Sequence, residues 1–255
     1  MKYNKMAKIY DNFIYDVDYG KILRFYEQIF KKHSLNPYKI LELGCGTGNL
    51  TSLLKDYFVY AIDNSEEMLT VARNKTFSMN NIKYFEMDMR NLNFNKKFDA
   101  AISSLDSINY ILKDEELLKI FERVYNVLES EGLFIFDINS YYKISSVLGN
   151  NIFTDEVEDM LYIWQCSFDK NTSINNFSLV FFEKVKDELY ERFDEEHEER
   201  AYEVDELTEI LKRAGFKKIE IYSDYDLKPA EKNSERINIV AKKEKNERLY
   251  NKRNR

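Results

Sequence analysis

The stretch Ile40-Leu41-Glu42-Leu43-Gly44-Cys45-Gly46-Thr47-Gly48-Asn49 decides the fold of this chain. Its first four residues are short and apolar enough for a buried strand, and three glycines follow at every second position. Because glycine has no side chain, the backbone amides of such a turn can come close to a ligand. We therefore expect a strand, a ligand-binding turn and then a helix, with Lys55 toward the end of that helix.

The spacing of the glycines argues against the fingerprint of dinucleotide-binding dehydrogenases. That fingerprint, G-x-G-x-x-G, would place its third glycine at position 49, where this chain has Asn49. The tighter pattern E-x-G-x-G-x-G resembles motif I of the class I S-adenosylmethionine-dependent methyltransferases. The resemblance predicts methyl transfer rather than hydride transfer.

Further segments follow motif I in the order that this family requires. Residues 58–62 are typical of a second strand that ends at Asp63, where a carboxylate can accept both ribose hydroxyls. Residues 81–87 indicate a third strand, and in the family the carboxylate at the position of Asp88 accepts a bond from the adenine amino group. Strands at 98–104 and 132–137, with a helix at 114–129 between them, extend the resemblance over residues 38–139.

The resemblance also implies a set of cofactor-binding residues, in which the backbone amide after Asp88 reads the adenine ring nitrogen. The set comprises Tyr19, Glu42, Gly44, Cys45, Gly46, Gly48, Asp63, Asn64, Met68, Asp88, Met89, Ser104 and Leu105. The implied cofactor is S-adenosyl-L-methionine, and no spacing in the sequence indicates a metal site.

The family's fold is an α/β, Rossmann-like sheet of seven strands with the last strand antiparallel and helices on both faces. Here we expect an inserted antiparallel β lid as well. The chain ends as the family does, with a helix at 204–214 before Gly215 and strands at 216–222 and 236–241. The expected parts are an N-terminal helical cap (1–34), the S-adenosylmethionine-binding domain (35–144 and 201–243), the lid (145–200) and a basic C-terminal tail (244–255).

The segment before the first strand has two interpretations. Apolar residues at helical spacing predict a helix from Tyr19 to Phe30, and an aromatic-rich run beginning at Tyr3 precedes it. This part either caps the sheet or closes over the cofactor. A similar Tyr-Asp segment occurs in the bacterial small-molecule branch of the family, including aminosugar N-methyltransferases. By that resemblance Tyr10 and Tyr19 would close over the cofactor and its methyl group.

Three alternating segments at 160–168, 176–184 and 188–202 predict an antiparallel meander above the carboxyl ends of the parallel strands. The last segment holds His197, on the same face as Phe193 and Ala201, although the spacing alone also permits a helix. This histidine is either a packing residue or a general base. Its ordinary pKa near 6.5 suits a base, which Glu195 or Glu199 could hold.

Composition limits the partners. The formal net charge of −7 disfavours a broad nucleic-acid surface, although the basic run from Lys242 to Arg255 is either a solvated end or an arm that touches RNA. Cys45 and Cys166 are best explained as reduced, buried thiols of a cytoplasmic protein. The sequence has no apolar stretch of membrane-spanning length and does not begin like a signal peptide. We therefore expect a small-molecule acceptor rather than a nucleic acid, no membrane, and a monomer or homodimer.

Three functions remain open at this point. The first is methylation of an amine or hydroxyl of a small molecule, in which positioning supplies most of the rate and a base removes a proton from the acceptor. The second is methylation of RNA or protein; however, Ser103-Ser104-Leu105-Asp106 stands where relatives that methylate amides or adenine carry Asn-Pro-Pro-Tyr. The third is a cofactor-binding module without catalysis.

Overall fold

The computed structural model describes residues 6–245, apart from the side chain of Lys8. Within this range the strands are β1 (Lys39–Leu43), β2 (Phe58–Asp63), β3 (Ile82–Glu86), β4 (Phe98–Ser103), β5 (Leu128–Asn139), β6 (Ile152–Val157), β7 (Met160–Asp169), β8 (Ile174–Lys186), β9 (Leu189–Arg200), β10 (Lys218–Ser223) and β11 (Arg236–Lys242). The α-helices are α1 (Met6–Phe13), α2 (Tyr19–Lys32), α3 (Glu66–Lys75), α4 (Asp114–Val127) and α5 (Val204–Ala214).

Seven strands form the central sheet in the order β10-β11-β5-β4-β1-β2-β3. β11 runs antiparallel to both of its neighbours, and the other pairs are parallel. The predicted seven-stranded sheet with a reversed last strand is therefore confirmed. Parallel strands that lie side by side bring their carboxyl ends, and the loops that follow, to one edge.

The helices cover both faces of this sheet. α4 and α5 pack their buried faces, including Phe121 and Leu211, with the sheet residue Phe134 in one core. On the other face, α2 buries Phe25 and Ile29 in a second core. Burial of a large apolar side chain contributes about 1.5–3 kcal/mol to the stability of the folded state. The two cores therefore stabilise the sheet and fix the position of the edge that carries the loops.

Local signals fix the helix ends. The side chain of Asp18 accepts a hydrogen bond from Lys21 N at 2.8 Å and begins α2. Ser65 does the same for Met68 N at 3.2 Å and begins α3. Gly215, with φ of +113°, ends α5 as predicted, because glycine adopts left-handed backbone without steric cost.

The helix predicted after the glycine turn, reaching to Lys55, is wrong. The structure has only a short 3₁₀ turn at Thr51–Leu53. Two hydroxyl groups bond locally here: Ser52 Oγ donates to Asn49 O at 2.7 Å, and Thr51 Oγ1 donates to Glu42 at 2.7 Å. Such side-chain bonds compete with regular helix, and only a few residues remain before β2 begins.

A second, antiparallel sheet has the order β6-β7-β8-β9, and we call it the lid sheet. The predicted meander is confirmed, with β9 paired to β8 from Ile174↔Arg200 to Lys186↔Leu189, so the helical alternative is excluded. The sequence prediction of three strands misses β6. This edge strand alternates exposed and half-buried residues and therefore carries no apolar stripe.

Two parts of the chain noted above lie outside the described residues: Tyr3, and positions 246–255 of the basic tail. Among residues 6–245, none of the helices has the length and apolar character needed to cross a membrane.

Candidate active site

A cavity of about 650 Å³ lies at the carboxyl ends of β1 to β4. The loops after these four strands form one side of it. The opposite side comes from α1 and from the inward residues of β7, β8 and β9. The lid sheet therefore faces the edge of the central sheet at which open α/β folds bind ligands.

Two glycines of the turn after β1 are required by close packing. A Cβ atom on Gly44 would lie 2.6 Å from Ser107 Oγ, and one on Gly48 would lie 2.8 Å from Ala72 Cβ on α3. Both residues also have positive φ, +68° and +76°. The turn consequently lies tight against α3 and against the loop that follows β4.

Asp63 joins this turn to the start of α3. Its Oδ2 accepts from Gly46 N at 2.8 Å, and its Oδ1 accepts from Ser65 N at 2.9 Å. Burial raises the pKa of the Asp63 carboxyl, and the backbone donors oppose that rise. The carboxylate is thus fixed at the cavity wall before any ligand arrives.

Asp88 borders the cavity after β3, between Met87 and Met89. Both of its oxygens accept from the Arg90 side chain, with Nη2 at 2.6 Å from Oδ2. The Arg90 hydrogen bonds lower the pKa of the Asp88 carboxyl, which is therefore ionised at neutral pH. An ionised acceptor between two thioether side chains suits a flat ring that carries an amino group.

The structure brings ten of the predicted site residues together around the cavity: Tyr10, Gly44, Gly46, Asp63, Asn64, Met68, Asp88, Met89, Leu105 and His197. The other five, Tyr19, Glu42, Cys45, Gly48 and Ser104, do not border it. Cys45 and Gly48 belong to the turn itself, Tyr19 accepts from Asn49 at 3.1 Å, and Ser104, which follows β4, bonds Tyr26 at 2.6 Å. Glu42 is buried beneath the turn, and burial raises its pKa to about 8.

Helix α1 connects the glycine turn to the lid sheet. Asp11 accepts from Thr47 Oγ1 at 2.6 Å, from Asn49 Nδ2 at 2.8 Å and from Lys75 Nζ at 2.8 Å. At the other side of the helix, the Phe13 ring contacts Tyr162, with ring centroids 5.0 Å apart.

Tyr10 precedes Asp11 on α1 and borders the cavity. Burial raises the pKa of its hydroxyl well above the ordinary value. Tyr10 is therefore a neutral hydrogen-bonding group at any physiological pH.

The lid side of the cavity is aromatic. Tyr162 and Trp164 of β7 and Phe177 of β8 form its wall, and the rings of Trp164 and Phe177 meet edge-on at 5.4 Å. His197 of β9 pairs across the sheet with Phe177 and contacts the Tyr110 ring edge-on at 5.9 Å. The imidazole accordingly stands in a partly apolar wall opposite the loops of the central sheet.

The floor of the cavity is polar and is organised by Asp137, a fully buried residue near the end of β5. Its carboxylate accepts from Leu105 N at 2.9 Å and from Asp106 N at 3.1 Å, and it pairs with Arg236. Leu105 and Asp106 both have positive φ, +55° and +57°, which is uncommon for residues other than glycine. Asp137 therefore holds the loop after β4 in a strained conformation.

Two more carboxyl-bearing residues complete the floor. Asp106 pairs with Arg236 at 2.8 Å, and Glu199 of β9 accepts from Asn139 Nδ2 at 3.0 Å. Glu199 is only 3% exposed, and burial followed by the charge of Asp106 raises the pKa of its carboxyl well above the ordinary range.

Sequence reasoning assigned no role to Asp106, Asn139 or Arg236, all of which border the cavity. A weak signal existed for Arg236, a charged residue that opens a largely buried strand. No local pattern connects it to Asp106, which lies 130 residues earlier. In residues 6–245 no group of three or more His, Cys, Asp or Glu side chains is arranged for a metal ion.

Comparison with known proteins agrees with this geometry. A methyltransferase domain family matches residues 40–132. A Bacillus subtilis (strain 168) protein that carries a provisional methyltransferase name is 35% identical over 249 residues, covering 96% of this chain and 98% of the relative.

Solved structures give the same result. The crystal structure of an S-adenosylmethionine-dependent methyltransferase from Clostridium acetobutylicum is 41% identical, covers 95% of this chain and 99% of its own, and superposes with a TM-score of 0.86. A sugar N-methyltransferase from Streptoalloteichus sp. shares the fold at 16% identity and a TM-score of 0.74, with 89% of each chain covered. The chain therefore belongs to the class I S-adenosylmethionine-dependent methyltransferases.

Proposed function

We propose that this methyltransferase transfers a methyl group to an amine or hydroxyl of a small molecule held inside the cavity. The observation that carries the proposal is the cover that α1 and the lid sheet place over the site. The lid sheet and α1 stand over the carboxyl ends of the central strands, and the space between them is about 650 Å³. Pockets for small ligands measure about 300–1,000 Å³, whereas a polymer would need an open groove.

The proposed cofactor contacts depend on two carboxylates whose positions are already fixed and on a glycine turn that has no side chains in the way. Asp63 would take the ribose hydroxyls and Asp88 the adenine amino group, with Gly44 and Gly46 against the rest of the molecule. Each carboxylate already has its position set by backbone or arginine donors, so little ordering would be needed on binding. When bound, S-adenosylmethionine supplies a methyl group on a positively charged sulfur, ready for in-line displacement.

The acceptor side rests on His197 and Tyr10. His197 borders the cavity from β9, and a neutral imidazole there would take the proton that an amine or hydroxyl must lose. Tyr10, neutral and on α1 beside the lid sheet, would orient the acceptor by its hydroxyl group. Holding the acceptor close to the methyl carbon supplies most of the rate in such a transfer.

One likeness supports a small-molecule acceptor: the fold is shared with a sugar N-methyltransferase, including most of the chain length. The RNA hypothesis depended on the basic tail, and positions 246–255 lie outside the described residues. No observation among the described residues favours it.

The test has two steps. Calorimetry should show binding of S-adenosylmethionine and none of NAD. Turnover, followed as release of S-adenosylhomocysteine, should then appear with members of a panel of small amines and alcohols, and not with bulk RNA or denatured protein. Binding of NAD alone would overturn the cofactor assignment, and turnover with RNA or protein but not with the small molecules would overturn the acceptor class.

A further inference from the structure

The cavity floor carries an excess of negative charge. Three carboxyl groups, those of Asp106, Asp137 and Glu199, meet there, and Arg236 is shared between Asp106 and Asp137. The Asp137 carboxylate also accepts hydrogen bonds from Tyr225 Oη at 2.7 Å and from the backbone amides of Leu105 and Asp106. Asp106 and Glu199 are the two of these acids that border the cavity.

These two carboxyl groups are within hydrogen-bonding reach of each other. Two carboxylates this close cannot both be ionised unless a cation compensates them. The groups facing Glu199 are Asp106 from the loop after β4, Arg236 from β11 and the Cys166 thiol from β7. Burial and the charge of Asp106 outweigh the opposing effect of Arg236, so the pKa of the Glu199 carboxyl is raised and a proton on Glu199 is favoured.

Neither carboxyl group is free to turn away from the other. The backbone of Asp106 is fixed in the left-handed region, and its N–H donates to Asp137 at 3.1 Å. Glu199 is held by Asn139 Nδ2 at 3.0 Å, and Asn139 in turn is bonded through its backbone N–H to Asn109 at 3.0 Å. A rigid acidic pair at the wall of a ligand cavity is preorganised for a positive charge.

We propose that Asp106 and Glu199 together form the counter-ion for a positively charged amine, so that the acceptor enters the cavity as an ammonium ion. This inference rests on the proposed function, because it places the acceptor in the same cavity. The aromatic rings of Tyr110, Trp164 and Phe177 in the wall suit the same cation.

The protons balance as follows. The ammonium group takes the place of the shared proton, which leaves to solvent, so one proton is released for each acceptor bound. One N–H proton then passes to His197, two positions earlier on the same face of β9. The nitrogen lone pair forms the new bond to the methyl carbon, and the electron pair of the breaking C–S bond stays on sulfur. The positive charge that develops on nitrogen is stabilised by the acidic pair.

The pair can be observed without turnover by infrared spectroscopy. In protein saturated with S-adenosylhomocysteine at pH 7, we expect carbonyl bands of two protonated carboxylic acids, one from Glu42, whose pKa is about 8, and one from Glu199. The Glu199 band is the one that reports on the acidic pair. The band should be absent in Glu199→Gln and present in Glu198→Gln, an exposed residue on the outer face of the same strand. Methylammonium chloride should abolish it, and equal concentrations of methanol or potassium chloride should not.

A second variant guards against misfolding. In Asp106→Asn the band of Glu199 should persist but no longer respond to methylammonium, because half of the counter-ion is gone. A wild-type protein without a band that Glu199→Gln removes, or with a band that methylammonium leaves unchanged, would overturn the inference.

Kinetics separate this inference from the proposed function. For amines that the enzyme methylates, Glu199→Gln should raise KM about 10- to 100-fold with a smaller change in kcat, while Glu198→Gln should change neither. If alcohols are methylated as well as amines and Glu199→Gln leaves KM unchanged, the counter-ion inference is wrong, whereas the proposed methylation of small molecules is retained. If the infrared band responds as expected but small molecules are not methylated, the acidic pair binds a cation, and both the proposed function and the assignment of that cation as the methyl acceptor are wrong.

Discussion

The two sides of the cavity are built in different ways. On the cofactor side, the residues that meet are near neighbours along the chain: Asp63 accepts from Gly46 only 17 positions earlier. On the acceptor side, Arg236 joins Asp137 and Asp106 across 99 and 130 positions, and Asn139 reaches Glu199 across 60. The cofactor side is therefore a property of consecutive strand–loop units, whereas the acceptor side exists only after the whole chain has folded.

This difference between the two sides of the cavity indicates which side can change to alter the specificity for the methyl acceptor. A turn and a carboxylate that follow directly on buried strands can be kept while the lid sheet, its aromatic wall and the floor vary. The likeness to a sugar N-methyltransferase at 16% identity fits this division, since the fold is shared although the sequence is not. Perturbing each side separately should therefore give separable effects.

The largest effect is expected from Asp63→Ala on the cofactor side. In the proposed binding mode this substitution removes two hydrogen bonds that the Asp63 carboxylate accepts from the ribose hydroxyls, at about 1.5–3 kcal/mol each, so the Kd for S-adenosylmethionine should rise by about 10²- to 10⁴-fold. Calorimetry measures this directly. Asp56→Ala, in the exposed turn before β2, is the matched control and should bind as wild type.

Because Asp63 also accepts from Gly46 and Ser65, the folded state of the variant must be checked by circular dichroism. A folded Asp63→Ala protein that keeps its affinity within a few-fold would show that the carboxylate serves the turn alone.

The next effect is expected from His197→Ala on the acceptor side. Loss of the general base that we propose should slow kcat by about 10²-fold, and the affinity for S-adenosylmethionine should stay nearly unchanged. His33→Gln is the control, because this histidine follows α2 and does not border the cavity. An equal loss of cofactor affinity and turnover would contradict the separation of the two sides.

The smallest effect is a pH dependence set by Glu42 beneath the turn. Its pKa is raised from 4.5 to about 8 in the folded protein, so between these values the folded state binds one proton more than the unfolded state. Stability is therefore lost as pH rises through this window, by about 1.4 kcal/mol for each pH unit. Glu42→Gln should remove this loss.

Urea unfolding of wild type and Glu42→Gln at pH 6 and pH 7 measures the difference. The free energy of unfolding of the wild type should fall by about 1.4 kcal/mol more than that of the variant over this step. Parallel pH profiles would mean that Glu42 is ionised in the folded protein.

Several elements show how far local signals reach. β9 carries its apolar residues at a spacing that also fits a helix, and only its pairing with β8 decides for strand. After Gly48, the pattern of a strand and a glycine turn predicts a helix that reaches Lys55, but the structure has only a short 3₁₀ turn. The hydroxyl groups of Thr51 and Ser52 form local hydrogen bonds that compete with a longer helix. β6 has no apolar stripe and owes its existence to its pairing with β7.

The central sheet and the glycine turn could be predicted from the sequence alone, because each depends on a buried strand, a glycine or a carboxylate that are adjacent in the chain. It also placed His197 on the inward face of its strand, since alternate residues of a strand share a face. The proximity of Asp106, Glu199 and Arg236 could not be predicted from the sequence and is seen only in the folded structure. Their charges are buried together by the packing of β5, β11, the loop after β4 and the lid sheet, and such long-range burial has no local signature in sequence.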